Sequence, residues 1–161
     1  MSPLLLFNSS FGLKLSISQV VEEIIRFMKT EPERRYCITI GSDSEVLSSG
    51  RADFVTAIVI HRVGNGGRYF WRRFQFGKFH TLRDRVIEEV LASLEIAEKT
   101  LRELKRFPGM VFDFEIHVDI GEGGPTKSLI QEVVAMIRAY NFKVKTKPGS
   151  YAASNVADRH V

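Results

Sequence analysis

Residues 35–76 read RYCITIGSDSEVLSSGRADFVTAIVIHRVGNGGRYFWRRFQF, and this stretch decides the fold. β-Branched and aromatic residues crowd three runs, Arg35–Gly41, Asp53–Val63 and Arg68–Phe76. Such residues fit a pleated, half-buried surface. Gly64-Asn65-Gly66-Gly67 between the second and third runs has the chemistry of a hairpin turn. Ser42-Asp43-Ser44 reads as a polar turn at the C-terminal end of the first. The three runs therefore predict an antiparallel meander.

Upstream, Ser16-Ile17-Ser18-Gln19 forms a capping box, because Ser16 can cap the backbone while Gln19 reaches back. Val20, Val21, Ile24, Ile25 and Met28 then recur at helical spacing, which predicts a helix over 17–29. Pro32 ends it by disfavouring helix in the residue before it. Downstream, Thr81 caps a long helix over 82–106, stopped by Phe107-Pro108-Gly109. Val111–Ile120 reads as a fourth strand, Gly121–Gly124 as a glycine loop, and Pro125–Tyr140 as a helix with proline in its first turn. Phe142–Lys147 is a fifth strand and Tyr151–His160 a short terminal helix. Three meandering strands followed by alternating α/β units predict a five-stranded mixed sheet flanked by helices. That is the RNase H-like arrangement, whereas a doubly wound nucleotide fold alternates from its start. The expected organisation is one globular unit, with an N-terminal segment and helix over 1–34 and the RNase H-like domain over 35–161.

Bulk composition agrees with a soluble globular chain. The 161 residues are 44% hydrophobic and 26% charged, ordinary values for one domain with a core of its own. Cys37 is the single cysteine, so neither an intramolecular disulfide nor a multi-cysteine metal site is available. In its apolar run it reads as a small buried hydrophobe. The apolar opening lacks the basic start and cleavage site of a signal peptide. No stretch approaches the ~20 apolar residues of a membrane span, so a cytoplasmic protein is expected. Net charge is +4, compatible with a polyanionic partner such as RNA, DNA or their hybrid.

The chemistry lies in the carboxylates. If the first and fourth strands are parallel neighbours, their ends bring Asp43 and Asp119 together. Two like charges held that close disfavour each other's ionisation unless a cation neutralises them, and hard oxygen ligands favour Mg²⁺ or Mn²⁺. On the long helix, at about 100° per residue from Leu82, Glu88 falls near 240° facing solvent and Glu89 near 340° on the flank of the buried stripe. Glu89 is therefore the third expected ligand, with Arg85 four residues earlier as its alternative partner. Asp158 in the terminal helix is the fourth. His117, two residues before Asp119, and His160 are candidate accessory groups. The expected activity is divalent-metal-dependent hydrolysis of nucleic-acid phosphodiesters, catalysed by Asp43, Glu89, Asp119 and Asp158. The alternative is a non-catalytic module on the same scaffold that binds nucleic acid or a protein.

Several blocks of the sequence resemble the bacterial YkuK family of uncharacterised RNase H-like proteins. They are Gly41-Ser42-Asp43-Ser44, Phe54 through Arg62, Glu89 through Leu94, His117 through Gly121, and Lys147-Pro148-Gly149-Ser150-Tyr151 through Ser154 with Val156-Ala157-Asp158-Arg159. The resemblance runs from about residue 35 to the end, and the terminal block is its most distinctive part. It implies the same fold and points to the same four acids, with no substrate attached. Glu45 stands where that family suggests glutamine and puts an extra negative charge beside the expected site.

Two further motifs carry weaker signals. Gly121-Glu122-Gly123-Gly124-Pro125-Thr126-Lys127-Ser128 lies between strand and helix as a P-loop would, but Thr126 replaces the glycine before the lysine. Pro125 also removes a backbone N–H. Lys127 and Thr126, with Arg85, remain candidates for contacting a substrate phosphate at a helix start. Arg68-Tyr69-Phe70-Trp71-Arg72-Arg73-Phe74 interleaves aromatics with arginines, which suits base stacking. Strict alternation leaves both its faces mixed, so it suits a homodimer contact equally.

Overall fold

The computed structural model describes residues 5–160, apart from the side chains of Ala153, Ser154 and Asp158. Its elements in chain order are β1 (Phe7–Ser9), β2 (Lys14–Leu15), α1 (Ile17–Thr30), β3 (Tyr36–Val46), β4 (Arg51–Arg62), β5 (Gly67–Lys78) and α2 (Leu82–Leu104). β6 (Asp113–His117), a 3₁₀ turn (Lys127–Leu129), α3 (Ile130–Ala139) and β7 (Lys143–Lys145) follow. A π-helical turn (Ala152–Ala157) and α4 (Asp158–His160) end the chain.

The sheet has seven strands, in the order β2-β1-β5-β4-β3-β6-β7, where the sequence predicted five. The predicted five are all present: β3, β4 and β5 form the antiparallel meander, and β6 and β7 add in parallel beside β3. The two unpredicted strands form an N-terminal hairpin on the outer edge of β5, with Asn8 opposite Trp71 and Ser9 opposite Phe70. They are too short to show a period-2 pattern. What holds them is tertiary: Phe7 is fully buried, and the Ser9 hydroxyl accepts from the amides of Phe11 and Leu13 across a turn in which Gly12 has φ +81°.

The capping box starts α1 as expected, with Ser16 Oγ accepting from the Gln19 amide and Gln19 Oε1 from the Ser16 amide. The buried face of α1 (Val20, Val21, Ile24, Ile25, Met28) and that of α2 (Val86, Val90, Leu94, Ala97) share one core with Ile38, Ile40, Ile58, Ile60 and Ile116. Val133 and Ile137 of α3 join the same core. The opposite sheet face carries a smaller cluster, Val55, Ala57 and Ala157, with Trp71 and Val156 packed against it. The C-terminal segment thus covers the face the long helices leave open. Near the other end of β4, Arg62 is buried against α1. It donates to Tyr36 Oη (3.0 Å), the Phe27 carbonyl (2.8 Å) and Thr30 Oγ1 (2.7 Å), pairs with Glu31 (2.6 Å) and lies 4.0 Å over the Phe27 ring.

Three boundaries differ from expectation. Ser42-Asp43-Ser44 is not a turn: β3 runs on to Val46, with Asp43 opposite Val55 and Val46 opposite Ala52. Continuous pairing with β4 overrides the turn preference of serine and aspartate. β6 stops at His117, so Asp119 lies beyond the regular strand. Two backbone bonds still hold that segment to the end of β7 and the residues just after it, Val118 N–H to the Lys145 carbonyl and Lys147 N–H to that of Ile120. α3 begins at Ile130 rather than Pro125, because no side chain caps the earlier turns.

Candidate metal-binding carboxylate site

Ser44 is the junction of the site. Its amide donates to Asp43 Oδ1 (2.9 Å), its hydroxyl donates to Glu89 Oε1 (3.0 Å), and its carbonyl accepts from Arg85 (3.1 Å). Alternation along β3 makes this arrangement possible, because Asp43 and Ser44 point to opposite sheet faces and only Ser44 faces α2. The position of α2 along the sheet is set one helical turn past Glu89. There Ser93 Oγ meets Ser42 Oγ (2.7 Å), which meets Thr56 Oγ1 (2.8 Å). All three hydroxyls are buried, and each has a partner as burial demands.

β3 and β6 are parallel neighbours, with Gly41 opposite His117. The segments just beyond, bearing Asp43 and Asp119, therefore leave the same end of the sheet. The Glu89 carboxyl registers both. Burial pushes it well above the usual carboxylate range, Asp43 and then Asp119 push in the same direction, and the Ser44 hydroxyl and Arg85 oppose them. Asp119 is partly buried and pairs with Lys147 Nζ at 3.2 Å. Among the described residues, no three acid, histidine or cysteine side chains already form a closed ligand set. The groups do fit a hard divalent ion. The donors are carboxylate oxygens with a hydroxyl close by, and a bound cation would relieve the repulsion of Asp43 and Asp119 on Glu89.

The remaining candidates disperse. The Asp158 side chain lies outside the described residues. Its backbone follows Ala157, which packs on Val55, the residue opposite Asp43. Glu45 is exposed, opposite Asp53. Thr126 shares a cleft with Asp119, whereas Lys127 is exposed and pairs with Glu122 at 3.7 Å. His117 is buried away from the acids, with Nε2 on Glu115 (2.9 Å) and Nδ1 accepting from the Ala152 amide (3.2 Å). Burial lowers its pKa, against the opposing pull of Glu115. The His160 ring stacks on Trp71 at 4.1 Å, and Arg73 donates to its carbonyl. That stacking occupies one face of Trp71 and pins the C-terminal segment to β5. Cys37, expected to be buried, is half-buried, with its thiol pushed up to about 12 by burial and by Glu115.

Sequence reasoning missed Ser42, Ser44, Thr56, Ser93 and Lys147. Ser93 had a readable signal, a hydroxyl four residues after Glu89 on the same flank of the helix. Lys147 was legible only as the end of a predicted strand.

The family comparison agrees with this architecture. A family model described as Ribonuclease H-like matches residues 19–161, and the chain belongs to that family. Within it the chain is similar to the Uncharacterized protein YkuK of Bacillus subtilis (strain 168). The two are 32% identical over 165 residues, covering 96% of this chain and 95% of that relative. No solved structure gives a significant match. Among the described residues, no helix is long and apolar enough to cross a membrane.

Proposed function

We propose that this chain is a divalent-metal-dependent nuclease acting on nucleic-acid phosphodiesters at the end of β3 and β6. The observation that carries the reading is the Glu89 carboxyl, buried beside two further acids whose charges oppose its ionisation. A fold has little reason to gather such groups except to hold a cation. Asp43, Glu89 and Asp119, with Asp158, would ligate Mg²⁺ or Mn²⁺. Bound there, the metal supplies activation of water and charge stabilisation at the leaving oxygen. Ser44 orients Glu89 and Asp43 through its hydroxyl and amide, and Arg85 offsets part of the negative charge. The net charge of +4 favours a polyanionic substrate.

The Lys147 ammonium, already seated on Asp119 at 3.2 Å, favours a second reading, a non-catalytic module that binds nucleic acid on the same scaffold. A panel of single-stranded RNA, duplex DNA, hybrid and branched substrates in Mn²⁺ separates the two. Cleavage that disappears with EDTA and in Asp43→Asn supports the nuclease. Metal-loaded, folded protein that cuts no substrate, or cleavage that survives in Asp43→Asn, overturns it.

A further inference from the structure

We infer that Lys147 is a substrate-binding residue held in reserve. It neutralises Asp119 while the site lacks a divalent ion and turns to a backbone phosphate of the nucleic acid once the ion is bound. The inference deepens the nuclease reading and rests on it.

The starting observation is a ladder of charge across the last two strands. Lys143 faces Asp113 at 4.0 Å, Lys145 faces Glu115 at 3.6 Å and Lys147 faces Asp119 at 3.2 Å. The first two pairs run diagonally between β6 and β7, where Glu115 stands opposite Lys143 and His117 opposite Lys145. The third lies beyond the strand ends, and its carboxylate belongs to the acid site. Lys147 is thus the one lysine of this ladder whose partner belongs to the acid site. Its pair with Asp119 is partly exposed, with the lysine side chain 53% accessible, so it holds the carboxylate only weakly against competition. A divalent cation carries twice the charge and prefers oxygen donors, so it displaces the ammonium and leaves it without its counter-charge.

The second observation is where the ammonium can then go. Asp119 and Lys147 line a cleft of about 610 Å³, bounded by the Gly121–Thr126 loop, Leu82 and Pro148. That volume lies within the range of small-molecule and nucleotide sites. The close approach of the two segments is built in at Gly121, where an added Cβ would come within 2.8 Å of the Lys147 Cβ. Backbone bonds on either side fix this approach. Gly123 has open space where a Cβ would stand, which leaves the loop backbone accessible to a ligand in the cleft. Lysine, a compact point charge on a flexible four-carbon stem, suits a group that must release one oxygen anion and take another.

The inference makes two predictions of opposite sign. Lys147→Met removes the competitor for Asp119, so Mn²⁺ titrated calorimetrically into EDTA-treated, dialysed protein should bind about two- to fivefold more tightly at low salt. The same variant should bind a short fluorescein-labelled single-stranded RNA about three- to tenfold more weakly in Ca²⁺, read by anisotropy. Its dependence of log K on log salt should be shallower by about 0.7, the value of one lost phosphate contact. Lys147→Arg should restore both quantities, and Lys143→Met, the same change at the far end of the ladder, should alter neither. A change in fold alone would not move metal and RNA affinity in opposite directions. If the wild-type protein binds Mn²⁺ and RNA but Lys147→Met matches it in both, or moves them together, the role of Lys147 is overturned and the nuclease reading stands. If the wild-type protein binds neither, both fall.

Discussion

Glu89→Gln should make the metal-free protein more stable while removing its capacity to hold a metal. Burial and the neighbouring charges of Asp43 and Asp119 outweigh the Ser44 hydrogen bond and Arg85, so the folded state resists ionisation of the Glu89 carboxyl. The unfolded chain ionises this glutamate at an ordinary pKa of about 4.3. Between that value and the raised folded value the native state carries more bound protons than the unfolded one, so wild-type stability falls as pH rises through the window. Removing a charge that such a site compensates poorly is worth about 1–2 kcal/mol. Glutamine keeps an oxygen to accept from Ser44 and carries no charge, so the variant should gain that amount at pH 8. In a domain of this size the gain is about 3–6 °C in Tm. It should shrink toward zero as pH falls below about 4, where the wild-type carboxyl becomes protonated in both states. Adding Mn²⁺ at a hundredfold over its Kd should then stabilise the wild-type protein by about 2.7 kcal/mol and the variant far less. Thermal melts across pH, with and without Mn²⁺, supply every quantity. A variant less stable than wild type at pH 8, or a gain that stays flat down to pH 4, would refute the account of Glu89.

Two further outcomes test other parts of the structure. Arg62→Met keeps most of the side-chain stem but removes the hydrogen bonds to Tyr36, Phe27 and Thr30 and the ion pair with Glu31. It should cost about 3 kcal/mol in urea unfolding, and a loss below about 1 kcal/mol would mean that this junction contributes little. Cys37, with its thiol pushed up to about 12, should react with iodoacetamide at pH 8 on the order of a hundredfold more slowly than a free cysteine. Ordinary reactivity would show that Glu115 and burial do not control it.

The helices and the five main strands were legible because their signals are local and redundant. Ser16 and Gln19 cap α1 as read, and the β3–β5 runs pair where their β-forming residues lie. Glu89 was legible because a helix wheel is geometry, and the residue on the edge of the buried stripe does meet β3. What escaped was decided by contacts distant in sequence. Nothing local distinguishes the three residues of β1 from a disordered start, since their hold comes from Phe7 in the core and from the edge of β5. Asp43 was placed in a turn because serine and aspartate favour turns, but the partner strand reaches as far as Ala52 and keeps the chain extended. His117 was a candidate accessory group because it stands two residues before Asp119, a spacing that shares one face only while the strand continues. That strand ends at His117, so the alternation does not carry to Asp119, and the imidazole is engaged by Glu115 and the Ala152 amide instead.

The charged ladder on β7 has a consequence for how this protein behaves among copies of itself. β7 terminates the sheet, and the backbone groups on its outer side would accept another strand. It is only three residues long, and two of them are lysines whose ammonium groups stay largely in water. An incoming copy of the same strand would set lysine against lysine across the new ladder, and like charges directly opposite oppose pairing. The end of the sheet nearest the proposed site is thereby protected from open-ended growth, and the protein should stay dispersed at concentrations where a bare edge would seed fibres.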